Sequence, residues 1–167
     1  MVGTKRECAI WLAQADDSKV YQVTEYRAKR SKSQNGYFHT LSDQIADART
    51  LRGDTISKAA EKNELIAKYG QKYRQEDGTP IGLKVNVPPE KMREMEEPHT
   101  LFIRETDDGA YLYFWMRPSR EYDTKEMAAL IDGTVEDAKA WGVETLTPFQ
   151  LQELKRLEER SAKHHSE

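Results

Sequence analysis

The chain has a single cysteine, Cys8, so it lacks the residues for a disulfide framework or for a zinc site built from cysteines. It also lacks an apolar run long enough to cross a bilayer, a signal-peptide hydrophobic region, a glycine-rich phosphate loop and any low-complexity segment. These absences argue against a secreted, membrane-bound or nucleotide-hydrolysing protein. We therefore expect a soluble, cytoplasmic protein with no membrane partner.

Neither sign of charge is in large excess. The 167 residues include 26 Lys plus Arg and 29 Asp plus Glu, for a net charge of −3 at pH 7. The apolar fraction of 37% is low for a globular protein, but it lies well above the range of disordered chains. Because the overall charge is slightly acidic, any binding of a polyanion must depend on a local cluster of cations.

Hydrophobic periodicity and turn signals predict an α+β fold with a mixed or antiparallel sheet of about five strands and about four helices, in a single domain over residues 1–160. The apolar run 7–12, a turn and the run 19–26 predict an opening hairpin. Asp107, Asp108 and Gly109 mark the turn of a second hairpin. The predicted strands lie in hairpins 7–26 and 100–116 and in segment 81–87; the predicted helices cover 33–51, 55–69, 124–141 and 148–160, and a flexible tail is expected over 161–167.

A cluster of cations precedes the first of these long helices. Ser31 and Gln34 fit the capping-box pattern that starts a helix, and a helix start favours an anion. With four cations beside it, a phosphate backbone is the natural ligand, although a solvated basic loop without a ligand has the same composition. The cluster consists of Arg27, Lys29, Arg30 and Lys32.

Polar and aromatic residues flank this cluster. Gln34 and Asn35 can position a nucleic-acid strand through their amide groups, or they can cap backbone groups of the helix instead. Tyr26 is a candidate for stacking on an unpaired base, whereas Tyr37 also fits the apolar face of the helix. Arg120, after the second hairpin, can extend the basic surface or be an ordinary loop charge.

Two segments of the chain resemble a known family. Segment 30–41, Arg-Ser-Lys-Ser-Gln-Asn-Gly-Tyr-Phe-His-Thr-Leu, resembles the Arg-Ser-x-x-Gln-Asn segment of the NinB recombination proteins of lambdoid phages. It is more similar still to related small proteins of phages and prophages of Gram-positive bacteria, whose C-terminal part resembles segments 122–138 and 142–148 here. Together these segments cover about a quarter of the chain. The resemblance implies a homodimeric accessory protein of DNA recombination or replication in a bacterial host cell. Such a protein binds single-stranded or branched DNA without catalysis.

The sequence contains no metal or cofactor signature. His39 and Asp43 are spaced to share a helix face, but a surface hydrogen-bonded pair is the simpler interpretation. Our hypothesis is DNA binding by the basic cluster, with no cofactor. A protein-interaction module, for example one docking on a single-strand-binding protein or a host factor, is the alternative. A metal-dependent nuclease with dispersed carboxylates is the third interpretation.

Overall fold

The computed structural model describes residues 5–16, 18–19 and 32–164, and this part of the chain contains six α-helices and three β-strands. The α+β class is confirmed. The expected counts of about five strands and four helices are wrong for the described residues. The helices are α1 Lys5–Gln14, α2 Lys32–Leu51, α3 Lys58–Tyr69, α4 Pro89–Met92, α5 Thr124–Ala140 and α6 Pro148–His164; the strands are β1 Gly82–Val85, β2 Thr100–Glu105 and β3 Tyr111–Trp115.

The predicted opening hairpin is wrong in its first strand. Residues 7–12 belong to α1 rather than to a strand, because a short apolar run has no period that separates strand from helix. The turn that follows is present, and Asp16 Oδ1 accepts a hydrogen bond from the Ser18 N–H at 3.0 Å. Most of the second predicted strand, 19–26, lies outside the described residues.

The three strands form an antiparallel sheet in the order β1-β3-β2, so β3 is central, as its two apolar faces predict. The hairpin of β2 and β3 is confirmed, with Gly109 at φ 76° in its turn. A register shift between Phe102 and Arg104 interrupts the pairing of β2. Leu101 and Met116 join the main hydrophobic core, which couples the sheet to the helices.

Helices α2, α3 and α5 build that core. The apolar stripe of each helix is buried, as the periodicity predicts, and Phe38, Ile66 and Leu130 are examples with no exposed surface. α5 begins with a capping box between Asp123 and Glu126, a spacing that the sequence already contains at the predicted helix start. The other helix bounds differ slightly from prediction: Ser57 rather than Thr55 caps α3, and α6 continues to His164 rather than ending at residue 160.

Candidate nucleic-acid interface

The structure reaches only part of the predicted site. Tyr26, Arg27, Lys29 and Arg30 lie outside the described residues, so their predicted roles stay predictions. Lys32, the last cation of the basic cluster, is the first residue of α2, which confirms that a helix begins at this point of the chain.

Gln34 and Asn35 are neighbours in the first turns of α2 but have different surroundings. The Gln34 side chain is 0% exposed, so it serves the protein interior and is not available to position a strand. Asn35 is half-buried, and its Oδ1 accepts a hydrogen bond from Ser119 Oγ at 3.1 Å. Of the two amides, only Asn35 therefore lies at a surface that a ligand can reach.

Asn35 and Arg120 line the same cavity, although 84 residues separate them in sequence. A 3-10 turn, Ser119–Glu121, brings them together, because it follows β3 and packs beside the start of α2 through the Ser119–Asn35 hydrogen bond. The cavity has a volume of about 470 Å³, and we call it the polar cavity. Its lining consists of Asn35, His39, Lys62, Glu96, Glu97, His99, Pro118, Ser119 and Arg120.

A second cavity of about 350 Å³ adjoins the first, since both are lined by Glu97, His99, Pro118 and Arg120. Its distinctive residues are Tyr73 and Trp115, so we call it the aromatic cavity. The two cavities together form one groove with a polar end and an aromatic end.

His99 lies between the two ends and is held by a buried amide. Asn63 Nδ2 donates to the Arg93 and Met95 carbonyl oxygens at 2.6 and 2.7 Å, which leaves Asn63 Oδ1 to accept from His99 Nδ1. The proton of the neutral imidazole therefore resides on Nδ1. Burial, with the positive charge of Lys62 nearby, lowers the pKa of His99 to about 4, so the ring is neutral at physiological pH.

The charges of the polar cavity balance within the described residues. Arg120 forms an ion pair with Glu97, which raises the pKa of the guanidinium and lowers that of the carboxyl. Among the described residues, Lys62 on α3 forms no ion pair with a carboxylate, and the exposed Glu96 forms none with a cation. Two cations thus face two carboxylates, and any net positive charge at this end has to come from elsewhere.

Tyr122 fixes the turn that carries Arg120. Its hydroxyl accepts a hydrogen bond from the Gln71 N–H at 2.8 Å and donates to the Arg117 carbonyl oxygen at 3.0 Å. A Cβ at Gly70 would lie 2.3 Å from that hydroxyl, so glycine is required there by close approach. The end of α3 and the Arg120 turn are therefore tied together through one phenol.

Sequence reasoning missed Lys62, Tyr73, His99 and Trp115. The position of His99 could have been predicted in part, because an antiparallel hairpin brings the residue before β2 next to the residue after β3. His99 and Met116 fulfil this expectation, with the Met116 N–H donating to the His99 carbonyl oxygen at 2.9 Å. Lys62 depends on how α3 packs, and Tyr73 depends on the pairing of the segment after α3 with the end of β3; the sequence has no local signal for either.

Among the described residues, no three His, Cys, Asp or Glu side chains converge in a way that would hold a metal ion. Asp43, considered above with His39, instead forms an ion pair with Lys58 at 3.4 Å. None of the helices described is both long enough and apolar enough to span a bilayer.

The resemblance to NinB proteins stays a prediction made from two sequence segments. Comparisons of the chain with models of protein families, with curated proteins and with solved structures find no significant match.

Proposed function

We propose that the protein binds single-stranded or branched DNA in this groove, as an accessory factor of recombination or replication without catalysis of its own. One observation carries the proposal. Asn35 and Arg120, which the sequence selects independently, line one cavity at the start of α2, directly after the four cations of segment 27–32. Amide and guanidinium groups beside a basic segment match the needs of a phosphate backbone.

The basic segment has to supply most of the attraction, because the described part of the polar cavity is charge-balanced. The Arg120–Glu97 pair is no obstacle, since both side chains are more than half exposed and such pairs contribute little to stability. A phosphate can replace the Glu97 carboxylate as the partner of Arg120. Glu97 then acts against binding, since its negative charge stays near the strand.

The first test measures binding of labelled single-stranded, duplex and forked DNA by fluorescence anisotropy over a range of salt concentrations. Replacing all four cations, Arg27, Lys29, Arg30 and Lys32, with alanine should lower the log–log salt slope by up to about 3, since each phosphate contact contributes about 0.7. An unchanged slope would refute the proposal. The control variant loses the same charge at exposed lysines that line neither cavity: Lys58, Lys84, Lys125 and Lys139.

The second test uses the opposite roles of the two partners in one ion pair. Arg120→Gln should weaken DNA binding, whereas Glu97→Gln should strengthen it by freeing the guanidinium and removing a like charge. Lys84→Gln, in another exposed ion pair at 2.7 Å, is the matched control and should leave affinity unchanged. If both variants of the Arg120–Glu97 pair bind as the parent does, the groove does not carry the DNA.

A protein-interaction function is the second candidate, and it is favoured by the exposed apolar residues of α6. Phe149 is 72% exposed and Leu157 is 56% exposed on this helix. Self-association of the kind that the NinB resemblance implies would cover such residues. Light scattering after size exclusion should show a dimer that Phe149→Ser with Leu157→Ser converts to monomers; a parent chain that is already monomeric would exclude this role for α6.

A further inference from the structure

The aromatic end of the groove has the construction of a stacking platform. The rings of Tyr73 and Trp115 lie 4.5 Å apart at an interplanar angle of 54°. Trp115 is 36% exposed even though it belongs to the central strand, so part of its indole surface is open to the aromatic cavity. An aromatic ring exposed in a cavity of a few hundred Å³ is a typical feature of a site for a small planar group.

Both rings extend from hydrogen-bonded backbone, and the Tyr73 ring is also held at its hydroxyl. Trp115 is fixed by β-sheet pairing, and its backbone N–H donates to the Ile81 carbonyl oxygen at 2.9 Å. The Tyr73 N–H donates to the Trp115 carbonyl oxygen at 2.8 Å, and the Tyr73 hydroxyl donates to Glu121 Oε2 at 2.8 Å. The Tyr73 ring, held through its backbone and its hydroxyl, therefore loses little conformational entropy when a ligand binds beside it.

We infer that the aromatic cavity binds one unpaired nucleobase of the strand, by stacking on Trp115 beside Tyr73. This inference rests on the proposed function, because the strand must first lie in the polar cavity. Continuity supports it: Arg120 lines both cavities, so a phosphate held there would place the next base at the aromatic end. Aromatic stacking accepts every base, which suits a binder of single strands without sequence preference.

A proline-rich peptide is the competing occupant, since aromatic grooves also bind extended proline segments. The observations favour a base, because the aromatic cavity opens into one that contains the Asn35 amide and the Arg120 guanidinium, which can bind a phosphate even though two carboxylates balance the two cations there. A proline-rich segment has no need of those groups.

The experiment compares a short oligothymidylate with an abasic strand of the same length, which has the same phosphates and no bases. Trp115→Leu should weaken binding of the oligothymidylate roughly 5-fold to 100-fold, the range for loss of one stacked base, and should leave abasic binding unchanged. Trp115→Phe, which keeps a ring, should restore most of the affinity. Trp141→Phe is the matched control, since Trp141 lines neither cavity and lies instead under the Arg52 guanidinium. Circular dichroism and thermal melting verify that each variant is folded.

The possible results distinguish failure of the stacking site from failure of DNA binding as a whole. If the parent binds both strands and Trp115→Leu changes neither affinity, the stacking site is refuted and DNA binding stands. If the parent binds neither strand, both fail together. A proline-rich peptide that quenches the fluorescence of Trp115, with no effect of the oligothymidylate on it, would also overturn the inference.

Discussion

Acidification should destabilise the protein through His99, because the fold holds this imidazole in its neutral form. Its side chain is only 6% exposed, and its pKa falls from 6.5 to about 4 through burial and the charge of Lys62. The unfolded chain therefore takes up a proton at a higher pH than the folded chain does. The stabilisation is complete above about pH 6.5 and is lost as the pH falls toward 4.

The size of the effect follows from these two pKa values. Linkage between protonation and folding gives a loss of about 2 kcal/mol from neutral pH to about pH 5, and about 3 kcal/mol near pH 4. The measurement near pH 5 is the cleaner one, because most carboxylates are still ionised there. The free energy of unfolding can be measured at each pH by urea titration followed by circular dichroism.

The control is His99→Gln, whose amide can donate to Asn63 Oδ1 at every pH and has no proton to gain. The other titratable groups are common to both proteins, so the difference between the two pH dependences reports on His99 and on the charges that interact with it, Glu97 and His39. The parent should lose about 2 kcal/mol more than the variant on acidification to about pH 5. Parallel curves for the two proteins would show that His99 is not held neutral by the fold.

Three further predictions concern stability. Arg49→Met should cost about 3 kcal/mol in chemical denaturation, because it leaves the Glu61 carboxylate, 3% exposed and now 2.7 Å from Arg49, buried without its cation. The double variant with Glu61→Met should recover part of that loss, and no recovery would contradict this account. Gly133→Ala should destabilise the protein by about 1 to 3 kcal/mol, because its Cβ would lie 2.3 Å from Tyr69 Cδ1. Adding Tyr69→Ala should relieve that clash. An equal melting temperature for Gly133→Ala and the parent would contradict this prediction. Asp123→Ala should cost about 1 kcal/mol by removing the cap of α5, whereas Asp123→Ser should cost less, and a harmless alanine would argue against the cap.

Prediction from sequence succeeded where the signal is local. The capping box at Asp123, the turn at Gly109 and the stripe containing Leu130 each lie within a few residues, and each element formed as expected. The wrong prediction of a strand over residues 7–12 also has a local cause. α1 leaves Ile10 and Trp11 exposed, so its apolar residues do not mark a buried helix face, and their density alone resembles that of a strand.

The candidate site was predictable only in part. Asn35 and Arg120 were selected for their chemistry, but their meeting depends on how the segment after β3 packs against α2. Gln34 was selected on the same grounds but is buried. Gln34 and Asn35 are adjacent amides that look equivalent in the sequence, and the fold buries Gln34 alone of the two. The exposed indole of Trp115 belongs to a run that is apolar on both faces, so no sequence pattern distinguishes it from a core residue.

The phenol of Tyr122 has a kinetic consequence. Among the described residues, it joins the segment after α3 to the turn that carries Arg120, so these two sides of the groove are connected through a buried side chain. If DNA binds in this groove as proposed, we expect the described part of the site to accept a strand without a slow rearrangement. In stopped-flow mixing, the observed rate should rise in proportion to DNA concentration, with no plateau and no second phase.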